Sequence, residues 1–137
     1  MITETKNSEP DSSSKVLIIA NAILERKAGR LVILNVKDIS AFADYFIICD
    51  GASDRQVQAI ADAVQERMKK SGILPLGVEG EQAGKWILLD YTDVIVHVFY
   101  QPLREFYDLE RLWADAPRMD VPGEATELNS LSNGIAS

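Results

Sequence analysis

Few side chains in this 137-residue sequence carry reactive chemistry, and they are scattered. His97 is the only histidine and Cys49 the only cysteine. A nucleophilic triad needs a Ser or Cys beside a base that a third group orients, and no such motif surrounds His97. His97 alternates with Ile95 and Phe99, so a partly buried, hydrogen-bonded histidine is the simpler reading. One His and one Cys cannot build the usual structural zinc site, and a lone Cys forms no internal disulfide. Glu79 and Glu81 flank Gly80. As a general acid and base they would need an enclosing pocket and shifted pKa values. As solvated charges on a glycine-flexed loop, they suit docking to a basic partner. Asp90 and Asp93 read as turn formers. Gly51-Ala52-Ser53 precedes a helix start, a geometry that can hold phosphate, although many helices open this way. No Asp-x-Asp pair occurs, so there is no evident two-metal site. The remaining chemistry is recognition. Trp86 opens a strand beside the glycine loop; burial statistics favour a core residue there, and the enrichment of Trp at interfaces favours an anchor.

These residues need a hairpin to position them. Residues 86–90 and 94–100 are β-branched and aromatic, and Tyr91-Thr92-Asp93 is a short polar turn between them. Period two puts Val94, Val96 and Val98 on one face and Ile95, His97 and Phe99 on the other. Both faces are apolar, so the strand is covered on both sides or awaits a partner. Whether Trp86 and Leu88 share a face with His97 depends on register, because a one-residue slip exchanges the faces.

Upstream, Ser13 or Ser14 caps a helix running to about Lys27, with an apolar stripe of Val16, Ala20, Ile23 and Leu24 and Gly29 as its C′ residue. Residues 31–36 read as a buried strand, 37–43 as a connection and 44–49 as a second strand. Ser53 and Gln56 form a capping box that opens a helix at Asp54, with Val57, Ile60, Ala61, Val64 and Met68 facing the core. Lys69, Lys70 and Gly72 end it. Residues 74–78 are extended, and Pro75 confines them to an edge or a strand start. After the hairpin, Pro102 sits at N1 of a helix striped by Leu103, Phe106, Tyr107, Leu109, Leu112 and Trp113, which Pro117 stops. The expected organisation is a disordered tail over 1–13, one α/β domain over 14–117 and a flexible tail over 118–137. The domain is a mixed sheet of about five strands with helices packed on it.

Net charge is −7, with −2 in residues 1–14 and −2 in residues 118–137, leaving −3 for the domain. Such a surface repels phosphate backbones, and no dense Lys/Arg cluster offsets it, so direct nucleic-acid recognition is not expected. The balance suits a basic protein partner, or solubility alone. No apolar run approaches the roughly 20 residues of a membrane helix, and the N-terminus lacks the pattern of a secretory signal. A soluble, cytoplasmic protein is the expectation.

Three segments occur in a telling order: DYFIICDGASDR at 44–55; GVEGE at 77–81 with a Trp-opened strand and DVIVHVF at 93–99; and YDLERLW at 107–113. Together they resemble the ribosomal silencing factor family, also called the RsfS or Iojap family, over roughly residues 15–115. The resemblance implies binding to large-subunit ribosomal protein fourteen, at the face that meets the small subunit. Subunit joining would be blocked by occupancy, and translation lowered under nutrient limitation, with no catalysis and no cofactor. It also implies that Trp86 and its strand belong to the ribosome-binding surface. On that surface Leu88 and His97 are expected beside Trp86 if the hairpin register puts them on one face, with Glu79 and Glu81 as an acidic rim and Tyr107 contributing from the helix. Homodimers of the free protein are a further implication. The family's fold is related to nucleotidyltransferases, whose Gly-Ser turn is followed by Asp-x-Asp on the next strand. This chain has Gly51-Ala52-Ser53 and no such pair, which counts against the alternative of a small nucleotide-binding or nucleotidyl-transfer enzyme.

Overall fold

The computed structural model describes residues 10–121. Its first helix, α1 (Ser12–Glu25), is capped by Asp11, whose carboxylate accepts from the Ser14 amide at 2.9 Å. The cap therefore lies two or three residues before the expected Ser13 or Ser14. Ser12 is occupied otherwise, donating its hydroxyl to Asp44 at 2.8 Å. The helix ends through Lys27 in a left-handed conformation (φ 56°), and Gly29 already belongs to the next strand. There a side chain would run into the Asp50 carboxylate.

Strands β1 (Gly29–Asn35) and β2 (Tyr45–Gly51) pair antiparallel. Helix α2 (Asp54–Lys70) then crosses to β3 (Gly77–Glu79), followed by the hairpin β4 (Trp86–Asp90) and β5 (Val94–Tyr100). Ser53 caps α2 as expected, accepting from the Gln56 amide at 3.1 Å. Two short helices, α3 (Gln101–Tyr107) and α4 (Leu109–Leu112), lead to β6 (Arg118–Met119). The sheet order is β3-β4-β5-β2-β1-β6. β2 and β5 run parallel, and the other neighbours antiparallel.

The mixed α/β sheet matches the expectation, but it has six strands instead of about five. The sixth comes from the segment read as tail. Arg118 and Met119 pair with Leu34 and Ile33, Asn35 donates its amide to the Pro117 carbonyl at 2.8 Å, and Val121 is buried. Met119 and Val121 alternate with Arg118 and Asp120, a period-two signal over too few residues to stand out among polar neighbours. The folded unit thus extends past 117 to 121. The remaining tail expectations, for 1–9 and 122–137, lie outside the described residues.

The expected single helix after Pro102 is also corrected. Asp108 adopts a left-handed conformation (φ 45°), and its amide closes α3 on the Arg104 carbonyl. The break splits the apolar stripe. Leu103, Leu109 and Trp113 turn inward, while Phe106 and Leu112 are left 77% and 73% exposed.

The sheet has two apolar faces. On the first, Ile47, Ile87, Leu89, Val94, Val96 and Val98 are fully buried with the inner residues of α1 and α2. Each such side chain contributes roughly 1.5–3 kcal/mol on leaving water. Lys15 is buried at the end of this layer, donating to Asp93 at 2.8 Å and to the Tyr91 carbonyl at 3.3 Å. On the second face, Leu34, Ile48 and Phe99 are buried, with Trp86, Phe46, Ile95, Leu103, Leu109 and Trp113 packed around them.

Candidate partner-binding face

The hairpin register decides which residues meet. Trp86 pairs with Phe99 and Leu88 with His97, and cross-strand partners point to the same side of a sheet. Trp86, Leu88, His97 and Phe99 therefore share the second face. His97 lies opposite Ile48 of β2, and Ile95 opposite Phe46, so the aromatic group continues across the parallel pair. β3 adds Glu79 opposite Leu88, on the same side.

The Trp86 indole donates its Nε1–H to His97 Nδ1 at 3.1 Å. Phe99 stacks on the indole at 4.8 Å, and the Tyr107 ring lies 5.0 Å away, tilted by 45°. Phe46 meets His97 edge-on at 5.7 Å and Trp113 edge-on at 4.9 Å. Such aromatic contacts typically contribute about 0.5–1.5 kcal/mol beyond their area. Trp86 thus fits neither extreme of core or free surface. It is half-buried, along with Leu88, Ile95 and Phe46, while His97 and Phe99 are buried beneath. Burial pushes the His97 pKa down to about 4. The imidazole is therefore neutral at pH 7, as a ring that accepts a proton donor at Nδ1 must be.

The two glutamates of the expected rim part company. Glu79 stays with Leu88, whereas Glu81 is drawn to α2. Its carboxylate accepts from Gln65 Nε2 at 3.1 Å, and its carbonyl accepts from Gln58 Nε2 at 3.1 Å. Gln58 also holds the Gln82 carbonyl at 3.0 Å, so the glycine loop is pinned to α2. Gly80 turns between the two glutamates with φ 82°, and its backbone lies so close to Trp86 that a side chain there would strike the Trp86 carbonyl. A cavity of about 280 Å³ opens here, lined by Glu79, Gly80, Trp86 and Leu88.

Tyr107, about half exposed on one side of Trp86, is set by a buried clasp. Arg104 is 2% exposed. It donates to Asp50 at 3.0 Å, to Glu110 at 2.9 Å and to the Arg30 carbonyl at 2.6 Å. Burial pulls the Glu110 carboxyl upward, but the hydrogen bond from Arg104 and the charges of Arg104, Arg118 and Arg30 together hold it below its usual value. The clasp joins α3 and α4 to the ends of β1 and β2.

At the other candidate, Gly51–Ser53, part of the donor set is in use. The Ala52 amide donates to Gln56 Oε1 at 2.7 Å and the Gln56 amide to Ser53 Oγ, while Gln56 Nε2 reaches the Arg26 and Lys27 carbonyls. A phosphate would have to displace these bonds. Cys49 is buried and its thiol is pushed up to about 12, so it is unreactive. Among the described residues, no three His, Cys, Asp or Glu converge to hold a metal, and no helix is long and apolar enough to cross a membrane.

Phe46 and the Arg104–Asp50–Glu110 clasp were not singled out from sequence, and Trp113 was read only as part of a helix stripe. Phe46 joins the group only through the β2–β5 pairing, which is not local, and an Arg in a short helix ordinarily reads as surface.

Comparison with known proteins identifies relatives. The family model described as ribosomal silencing factor during starvation matches residues 9–134. The chain is 43% identical over 113 residues to the ribosomal silencing factor RsfS of Halalkalibacterium halodurans, covering 82% of this chain and 97% of that one. It is 41% identical over 111 residues to the factor of the same name from Bacillus subtilis, covering 81% and 94%. A crystal structure of a Chromobacterium violaceum protein superposes with a TM-score of 0.75 at 31% identity, covering 77% of this chain and 88% of that one.

Proposed function

The chain belongs to the ribosomal silencing factor family, and on that premise we propose that it binds the large ribosomal subunit through ribosomal protein fourteen and blocks the small subunit from joining. Translation is thereby repressed in the cytoplasm when nutrients are limiting. The second face of the sheet is the contact surface, with Trp86 as anchor, Leu88 and His97 beside it, and Tyr107 and Glu79 at its margins. The mechanism is occupancy, so no bond is made or broken. The observation that carries this reading is the fixed, half-buried indole of Trp86, held by His97 at 3.1 Å and by Phe99 beneath it. An aromatic anchor whose rotamer is already set loses little entropy on binding. The apolar face is equally open to a second copy of the chain, and a homodimer through it would compete with the ribosome.

The test is co-sedimentation with isolated large subunits, followed by a subunit-joining assay in a sucrose gradient. Trp86→Ala should weaken binding by roughly 30-fold or more, the effect of losing an anchor of about 2 kcal/mol, and should release the block on joining. Its circular dichroism spectrum should stay that of a folded protein. A folded Trp86→Ala protein that sediments with large subunits like the unmodified chain would remove Trp86 from the surface. Failure of the unmodified chain to sediment would end the proposal.

A further inference from the structure

The cavity beside Trp86 has a chemistry more specific than an apolar patch. It is lined by partly buried Trp86 and Leu88, by Gly80, and by one exposed acidic residue, Glu79. Among the described residues no lysine, arginine or histidine pairs with that carboxylate. Glu81, the other acid of the loop, is bonded to Gln65 and does not line the cavity. The walls are fixed. Gly80 is locked against the Trp86 backbone, Gln58 pins the loop, and the indole is held through its Nε1–H by His97.

We propose that this cavity receives a single arginine side chain of the partner protein, its guanidinium laid against the Trp86 indole and hydrogen-bonded to Glu79, with its methylene stem along Leu88. This deepens, and rests on, the reading of the second face as the partner-binding surface. The chemistry favours a guanidinium over an ammonium. A guanidinium is planar, weakly hydrated and able to stack on an indole while donating to a carboxylate in the same plane. An ammonium is a compact, strongly hydrated charge that gains less from an aromatic floor. About 280 Å³ is room for a planar head and the first part of its stem. A carboxylate at the rim also repels an acidic partner, so the cavity sorts partners by charge.

The experiment is a chemical-shift titration of the full chain with L-argininamide. L-lysinamide and L-norleucinamide serve as probes that replace or lack the guanidinium, all at equal ionic strength. Argininamide should shift the Trp86 indole N–H and the Glu79 and Leu88 amides in a saturable way. Norleucinamide should not, and lysinamide should bind several-fold more weakly. Glu79→Gln, an isosteric change at an exposed position, should weaken argininamide binding by about fivefold to tenfold while leaving the remaining spectrum in place. Equal shifts from norleucinamide or lysinamide, or an unchanged affinity in Glu79→Gln, overturn the proposal. Co-sedimentation separates it from the reading it rests on. Saturable argininamide binding with no sedimentation of the unmodified chain leaves the pocket standing and removes the ribosomal partner. Sedimentation that depends on Trp86, without argininamide binding, does the reverse.

Discussion

The two faces of the sheet are both apolar, yet they are finished differently. Under α1 and α2 the residues are aliphatic and fully excluded from water, as with Ile87, Leu89, Val94, Val96 and Val98. On the opposite side they are aromatic, and Trp86, Phe46, Leu88 and Ile95 retain part of their exposure. Two short helices cover that side, held by one buried arginine instead of a long packed stripe. Branched aliphatic side chains fill volume without polar atoms, which suits a face whose role is stability. Indole and imidazole are rigid, and the indole N–H is here bonded to one of the two imidazole nitrogens, which suits a face that must be apolar and still keep its shape in water.

The sharpest way to break this contrast is to remove the clasp. Arg104→Met leaves buried Asp50 with only the longer contact from exposed Arg30 at 3.4 Å and should cost about 3 kcal/mol of stability by urea unfolding. Adding Asp50→Asn should restore part of it. A loss below about 1 kcal/mol would mean that packing of Leu103, Leu109 and Trp113 holds the cover alone.

Neighbouring residues on β4 then compare the faces directly. Ile87→Ala, on the helix-covered side, should cost about 2–5 kcal/mol and leave large-subunit binding per folded molecule unchanged.

His97 allows a titration of the second face. Its pKa is about 4 in the folded protein, against an ordinary value near 6.5. The unfolded chain therefore takes up a proton first as pH falls. Stability is unaffected by this group above pH 6.5, declines between pH 6.5 and 4, and has lost on the order of 3 kcal/mol below that. Unfolding at pH 7.5, 5.5 and 4 should show this slope in the unmodified chain and lack it in His97→Gln.

The smallest stability effect is expected from Leu88→Ala. One residue from Ile87 but on the open side, it should cost about 1 kcal/mol or less while weakening large-subunit binding. Equal destabilisation by Leu88→Ala and Ile87→Ala would erase the distinction between the faces.

Much of this was legible in the sequence. The period-two pattern at 94–100 placed the valines on one side and His97 and Phe99 on the other, and the Ser53–Gln56 cap marked the start of α2. What was not legible depended on contacts distant in the chain or on rare conformations. The Trp86–Phe99 register is set by pairing, β6 is two residues long, and Asp108 takes a left-handed turn without being glycine. Glu81 parted from Glu79 because Gln65 of α2 was there to receive it, a neighbour 16 positions earlier in the chain. Lys15 and Arg104 are long cations that ordinarily belong at the surface and are buried here only because carboxylates meet them.

The sheet's two borders bear on life before any partner arrives. β3 is three residues long and β6 two, so neither border offers a long run of unpaired amides and carbonyls. A chain that keeps an aromatic surface uncovered while idle can bury it against other copies, and an open strand border would let such pairs grow sideways into ordered aggregates. Short terminal strands limit that growth. A pair formed through the proposed contact face would then have no long strand border along which to add further copies.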